Sequence, residues 1–383
     1  SPDQKIKNFR IFHNCSSRKE NMTLVFRADA SHELGMGHLI RCLHLAECAA
    51  SHNPRNVFVL NFANNEIAGL VRKQGYEAIL LQEREPDHEF KVLSQFSQDE
   101  NAAFIFDVCH QKTLTDPMGF QSLTRRLASG KQTSVLIDGL GQHSLSSKTQ
   151  PAVDFVLIPY GENSTDEIVT ESGRCTYLRG LRYFICHPDF QKNRLRPSAP
   201  DAARKILVSC GGSDPKKIAY FIMEEVEESC EGLEIRIVIG PAFEPTYIED
   251  LKRLANQFIK NSCSFIISPT TLATQIGWAD LAVGTSGLSK YEFAISGLPA
   301  ILISIDPAHA EISDEFIRYG TAVHAGLYED LPTRRLGEMV HSLASDQTMR
   351  NSMSEKGMSL SHGDGGFIII DKIWERQIWK QNN

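Results

Sequence analysis

Apolar positions in this chain fall into short blocks, and the stretches between them repeat at helical spacing. Thr23 to Phe26 reads as the end of a buried strand. Asn56–Leu60, Ala78–Leu81, Ala103–Phe106, Thr133–Ile137 and Phe155–Leu157 read as further strands. Leu39, Leu43, Ala46 and Ala50 share one face of a helix that begins near His38. A second series follows, with strands at Lys205–Ser209, Glu234–Ile239, Ser264–Ile267, Leu281–Val283 and Ala300–Ile305. Strands alternating with helices predict an α/β fold with parallel sheets and ligands at the carboxyl ends of the strands. Gln191 to Arg204 is polar and carries prolines, which marks a linker. The expected organisation is an extension over 1–21, a first domain over 22–190, a linker over 191–204 and a second domain over 205–365. A helical tail over 366–383, rich in Ile, Trp and Lys, ends the chain.

At 383 residues the chain has room for two domains with full cores. A net charge of −7 and a sequence pI near 6.0 argue against a nucleic-acid surface. No apolar run reaches the length of a bilayer span, and the first residues lack the apolar centre of a secretory signal. The fold is expected to start at Met22. Nine scattered cysteines without a Cys-x-x-Cys pair favour reduced thiols in a cytoplasmic protein, where the sequons at Asn14, Asn21 and Asn163 carry no meaning. No histidine or cysteine cluster has metal-ligand spacing, and no Gly-x-Ser-x-Gly elbow exists. Asp107 and Asp138 would hold a magnesium ion only if the fold brought them together, so neither metal nor cofactor is expected.

The densest chemistry lies in Arg27-Ala-Asp-Ala-Ser-His-Glu-Leu-Gly-Met-Gly-His-Leu-Ile-Arg41. Gly35 and Gly37 allow positive φ and close approach of a ligand. His38 falls on the first helical turn, where free N–H groups and the helix dipole disfavour imidazolium and leave a neutral ring able to take a proton. Asp29 is placed to orient the motif, and Arg41, one turn on, to meet an anion. This suits attack of water or an alcohol on a phosphorylated substrate, although a histidine after a glycine turn also serves as a simple helix cap. In the second half, Gly211 and Gly212 open another strand-to-helix turn, which Ser213 or Asp214 can cap. Gly284-Thr285-Ser286-Gly287 makes a phosphate cradle of backbone N–H groups before a helix. Glu292 lies about two turns on, where a lone glutamate is by default solvated.

These motifs resemble the family containing UDP-2,4-diacetamido-2,4,6-trideoxy-β-L-altropyranose hydrolase, which serves pseudaminic acid biosynthesis, and the SpsG-type spore-coat polysaccharide proteins. The shared pattern is Arg27, Asp29, Ser31, Gly35, Gly37, His38, Arg41, Leu43, Leu45 and Ala46. The resemblance implies a GT-B fold, two Rossmann-like domains facing a central cleft, in which the C-terminal tail often crosses back to the first domain. It implies His38 as general base, a cleft-facing Gly211–Asp214 turn, Glu292 as acceptor from the ribose hydroxyls, and a Gly240-Pro-Ala-Phe243 turn with a base-stacking or packing role. The Tyr177–Phe190 stretch resembles the family's strand leading into the interdomain crossover.

Three places depart from the pattern. Asp107-Val-Cys-His110-Gln-Lys112 keeps the aspartate but loses the family's His-Tyr-Gly. Asp138 is followed by Gly139 instead of a second aspartate. Asp306-Pro-Ala-His309-Ala310 stands where an Asn-Gln pair reaches the sugar phosphate. Asp107 is expected to contact the substrate, and His110 and His309 are candidates for a remodelled sugar site. The expected activity is inverting hydrolysis of a UDP-linked deoxyamino sugar in surface-glycan biosynthesis, of the kind used in flagellin glycosylation. A GT-B glycosyltransferase and a non-catalytic nucleotide-sugar binding protein are the alternatives.

Overall fold

The computed structural model describes residues 22–31, 34–82, 86–108, 117–128, 131–138, 152–160, 166–169, 174–192 and 198–382. The first sheet is built from β1 (Thr23–Asp29), β2 (Arg55–Asn61), β3 (Glu77–Leu80), β4 (Ala102–Asp107), β5 (Thr133–Ile137), β6 (Phe155–Ile158), β7 (Asp166–Val169) and β8 (Thr176–Arg179). Its strand order is β3-β2-β1-β4-β5-β6-β8-β7, parallel except for the β7–β8 pair. The second sheet comprises β9 (Lys205–Ser209), β10 (Glu234–Ile239), β11 (Ser262–Ile267), β12 (Leu281–Thr285), β13 (Ala300–Ser304) and β14 (Ala322–Leu327). Its order is β11-β10-β9-β12-β13-β14, parallel throughout.

Central strands read as unbroken apolar runs because both faces of each sheet are covered. Along β1, Leu24, Phe26 and Ala28 enter one buried cluster with Leu39, Leu43 and Ala46 of the helix Gly37–Cys48, while Val25 enters the opposite one with Phe104 and Phe106. Along β9, Ile206 and Val208 face one cluster and Leu207 the other. In each sheet the chain starts at a central strand, winds to one edge, and returns to the other side of its starting strand. The order reverses between β1 and β4 and again between β9 and β12. Such a reversal leaves a crevice at the carboxyl ends, where adjacent loops depart in opposite directions. Both glycine turns of the second half and the His38 helix start at these crevices.

The structure extends the sequence reading in several places. β1 runs on to Asp29, because Arg27 and Asp29 are buried as an ion pair rather than ending the strand. β7 and β14 lie at sheet edges; β7 opens with two acidic residues and β14 is interrupted by His324 and Gly326, so neither stands out as an apolar run. The described cysteines form no disulfide.

The helix Gly365–Asn382 packs against the first domain. Ile369, Ile370 and Ile373 join the β1 cluster. Gly366 lies where a Cβ would stand 2.5 Å from Cys48 Sγ. Gln377 accepts from the Thr133 N–H at 2.7 Å and donates to the Glu100 carbonyl at 2.6 Å. Lys380 reaches Asp154 at 2.8 Å. Gln377→Ala would leave two backbone groups without these partners. A loss of about 2 kcal/mol in urea unfolding, with the slope unchanged, is expected. A loss below about 0.5 kcal/mol would show that Gln377 does not anchor the helix.

Candidate active site

β4 ends at Asp107, beside Ala28 in the β1 register. The helix Gly37–Cys48 starts from Met36, which provides no side-chain cap. Gly35 adopts a φ of +82°, which lets the loop fold back so that its N–H meets the Ser31 carbonyl at 2.9 Å. This arrangement brings the first turn of the helix over the end of β4. His38 Nδ1 lies 2.7 Å from Asp107 Oδ1. Arg41 donates to the same carboxylate through Nε at 2.7 Å and Nη2 at 2.6 Å. Asp107 is fully buried, and Arg41 is almost so.

Geometry selects the histidine tautomer. With its proton on Nδ1, His38 donates to Asp107. The other tautomer would set a lone pair against a carboxylate oxygen at that distance. The proton therefore belongs on Nδ1, leaving Nε2 as the acceptor. Burial alone would raise the Asp107 carboxyl; the Arg41 guanidinium, and then His38, outweigh it and hold it below its ordinary range. Burial likewise works against the charge on Arg41, and Asp107 overcomes it. The neighbouring Cys42 thiol is pushed up by burial and by Asp107, and so stays protonated.

Three expectations are corrected here. Arg41 does not face an approaching anion, because its guanidinium is engaged by Asp107 and by the Tyr160 hydroxyl. Asp29 accepts from Arg27, which also reaches Glu89 at 2.6 Å. The carboxylate on His38 is Asp107, which was expected to contact the substrate.

The second domain supplies three turns. At Gly211 φ is +78° and a Cβ would meet nothing within 4 Å, so this turn is open. A Cβ on Gly212 would stand 3.2 Å from the Met36 side chain, which brings this turn against the His38 loop. Asp214, rather than Ser213, caps the following helix by accepting from the Ile218 and Ala219 N–H groups, both at 2.8 Å. Gly240 is corrected from ligand contact to packing, since a Cβ there would fall 2.4 Å from the Gly212 carbonyl oxygen. Phe243 is likewise buried and stacked on Tyr247, with ring centroids 5.6 Å apart.

The Gly284–Gly287 turn divides by residue. A Cβ on Gly284 would fall 2.1 Å from the Ser209 carbonyl oxygen, which makes this glycine structural. Thr285 is buried. Ser286 is corrected too: its N–H meets the Ile303 carbonyl at 3.0 Å, and its hydroxyl lies among Ile303 and Ser304. Gly287 has open space at its Cβ position and no positive φ, so nothing in the fold itself requires a glycine there. The adjoining Leu288 Cδ1 is 3.5 Å from the Cβ position of Gly37, which places this turn opposite the His38 helix start.

Glu292 is buried, and among the described residues no donor meets its carboxyl; burial pushes it up to about 7. Lys290, one turn after Ser286, donates to the Ser286 carbonyl at 2.7 Å, and burial lowers it to about 7. His309 Nδ1 lies 2.8 Å from Asp306 Oδ1, the oxygen that also caps the helix Pro307–Arg318. His110 lies outside the described residues. Sequence reading missed Tyr160 and Lys290. Tyr160 could have been found from its place just beyond the carboxyl end of a strand, and Lys290 from its place in the turn motif.

Among the described residues, no group of three or more His, Cys, Asp and Glu is arranged to hold a metal ion. Among the same residues, no helix is long and apolar enough to cross a membrane.

No protein-family model matches the chain. The spore coat polysaccharide biosynthesis protein SpsG of Bacillus subtilis is 23% identical over 364 residues, covering 92% of this chain and 98% of SpsG. Among solved structures, MurG of Acinetobacter baumannii superposes with a TM-score of 0.61 at 13% identity, over 93% of this chain and 99% of that one. UDP-GlcNAc 2-epimerase of Neisseria meningitidis, solved with UDP-GlcNAc bound, gives a TM-score of 0.57 at 11% identity, over 92% and 100%. At such identities the structural likeness speaks to architecture, and the architecture is that of a two-domain GT-B fold.

The Glu292 carboxyl gives a signed test. Its folded value, about 7, lies above its ordinary 4.5. Folding therefore carries no penalty from this group below the unfolded value, and a growing penalty as pH rises through the folded one. Glu292→Gln removes that charge. It should stabilise the ligand-free protein by about 3 kcal/mol at pH 8 and by under about 1 kcal/mol at pH 5. Denaturant titrations at the two pH values check this, and equal effects at both would contradict an uncompensated carboxyl.

Proposed function

We propose that the protein hydrolyses a nucleotide-activated sugar, with a UDP-linked deoxyamino sugar as the substrate class. The observation that carries this reading is His38, held through Nδ1 by a buried carboxylate, with Nε2 left as acceptor opposite the Gly284–Gly287 turn. In the proposed step, Nε2 removes a proton from water as the water oxygen bonds to the anomeric carbon. The bond from that carbon to the phosphate oxygen breaks, and its electron pair leaves with the nucleoside diphosphate. Attack opposite the leaving group inverts the anomeric centre. Asp107 stabilises the imidazolium as it forms, which corrects the view that the helix dipole alone sets the ring's state.

The Gly287 and Leu288 N–H groups, which meet no acceptor among the described residues, are assigned to the departing diphosphate. Glu292 is assigned to the ribose hydroxyls, whose donors would satisfy a buried carboxyl that otherwise has none. Support for a polysaccharide role comes from the SpsG relative, and for a UDP-sugar from the epimerase solved with UDP-GlcNAc. The domains, as proposed, meet at the linker 191–204, with the reaction in the cleft between them.

MurG supplies the architecture of a second reading, in which an alcohol replaces water in the same step. Incubation with UDP-linked deoxyamino sugars, with and without polyol acceptors, separates the two. UDP release with an inverted free sugar, read by NMR, is the expected result. Release only in the presence of an acceptor would make the protein a transferase, and tight binding without release would remove the enzyme reading. His38→Ala should lower turnover by about 1,000-fold or more while retaining UDP binding. Asp107→Asn should cost a similar factor by losing the tautomer preference. Unchanged turnover in His38→Ala would remove His38 from the mechanism.

A further inference from the structure

Tyr160 follows β6 and so belongs to the first sheet. Its ring nevertheless packs against the buried cluster of the second domain. The ring centroid lies 4.8 Å from that of Tyr291 and 6.1 Å from that of Phe184. Tyr291 in turn stacks on Phe184 at 4.8 Å and meets Phe316 edge-on at 4.8 Å. Tyr291 is the residue between Lys290 and Glu292, in the helix Ser289–Ile295 that follows the Gly284–Gly287 turn. At its other end, the Tyr160 hydroxyl accepts from Arg41 Nη1.

Arg41 thus has two nitrogens on Asp107 and its third on Tyr160. The Asp107 charge is divided between Arg41 and His38, so whatever holds the guanidinium also sets how much of that charge the histidine feels. Arg41 is buried, and losing the Tyr160 partner would leave Nη1 without a neutral acceptor. Tyr291 supplies the nearer wall of the Tyr160 ring, and Phe184 the farther one. We propose that Tyr160 is a positioning residue that makes the His38–Asp107 arrangement conditional on the seating of the helix Ser289–Ile295. The consequence for catalysis rests on His38 acting as base. The coupling itself does not.

The first readout is therefore independent of activity. The 15N signals of the His38 ring, recorded on the ligand-free full chain, report which nitrogen carries the proton. The wild-type protein should show Nδ1 protonated. Tyr160→Phe keeps the ring and removes the acceptor, and should spread the signals between the two tautomers. Tyr291→Leu should do the same from the other domain, which supplies a second route if either variant folds poorly. In turnover, Tyr160→Phe should lower kcat by about 10- to 100-fold, the worth of one hydrogen bond to a charged group, with KM within about threefold. The acidic limb of its pH–rate profile should move to lower pH, because an Arg41 that has lost its Tyr160 acceptor draws more of the Asp107 charge to itself and leaves less for the imidazolium. Adding Tyr291→Leu to Tyr160→Phe should cost little more, since both act through one contact.

A residue that only fills space would leave the His38 signals and the pH profile unchanged in Tyr160→Phe, and that result overturns the proposal. If the His38 signals respond while wild-type protein releases no nucleotide, the coupling stands and the hydrolase reading falls.

Discussion

The site depends on one buried carboxylate. Asp107 is fully enclosed at the end of β4, and burial works against its charge. The bidentate Arg41 guanidinium makes that charge tenable, and the pair then becomes a fixed negative surface against which His38 is oriented. Each neighbouring feature serves this arrangement. The β1–β4 register sets Asp107 beside Ala28, Gly35 returns the loop, and the helix begins at Gly37 so that residues 38 and 41 lie on one side. A shift of one residue in the helix start would carry His38 away from the carboxylate by about 100° around the axis.

Strand positions were legible because buried parallel strands leave long apolar runs, and the glycine turns were legible because they interrupt those runs at strand ends. Much of the site's logic was not. The pairing of Arg41 with Asp107 joins residues 66 positions apart, and only the sheet order brings them together. Read locally, Arg41 is an exposed-looking cation one turn after a histidine; in the fold it is buried beneath that histidine. Ser286 and Gly240 failed for a related reason. A serine or glycine in a turn motif looks the same whether it meets a ligand or the protein itself, and here Ile303, Ser304 and Gly212 occupy those contacts. Gly287 is the informative contrast, a glycine that neither backbone geometry nor neighbouring atoms require.

The second domain contributes a different electrostatic device. Lys290 and Glu292 lie on one short helix, and burial moves each toward the same value, about 7. Near neutral pH both groups are consequently balanced between charged and uncharged forms. An anion brought to this turn favours the lysine ammonium and disfavours the glutamate carboxylate. Hydroxyl donors brought to Glu292 have the opposite effect on that group. A ligand carrying both a diphosphate and a ribose would resolve each ambiguity in place, with little rearrangement of the backbone.

On the proposed reading, the choice between water and an alcohol is not made by the His38–Asp107 pair, because either nucleophile needs only an Nε2 able to take a proton. It is made by whatever surrounds the attacking oxygen and the sugar ring. The chain departs from the hydrolase pattern after Asp107 and at the start of the helix Pro307–Arg318, where His309 is tied to Asp306, and the proposed reading assigns sugar and acceptor choice to those places. The base, its carboxylate and the turn opposite it come from strand ends fixed by two sheets, whereas the departing positions lie in the segments that follow strands. Such segments can change with little cost to the core. Sugar and acceptor preference can thus shift while the Asp107 arrangement stays intact, which is how one GT-B framework would accommodate both hydrolysis and transfer.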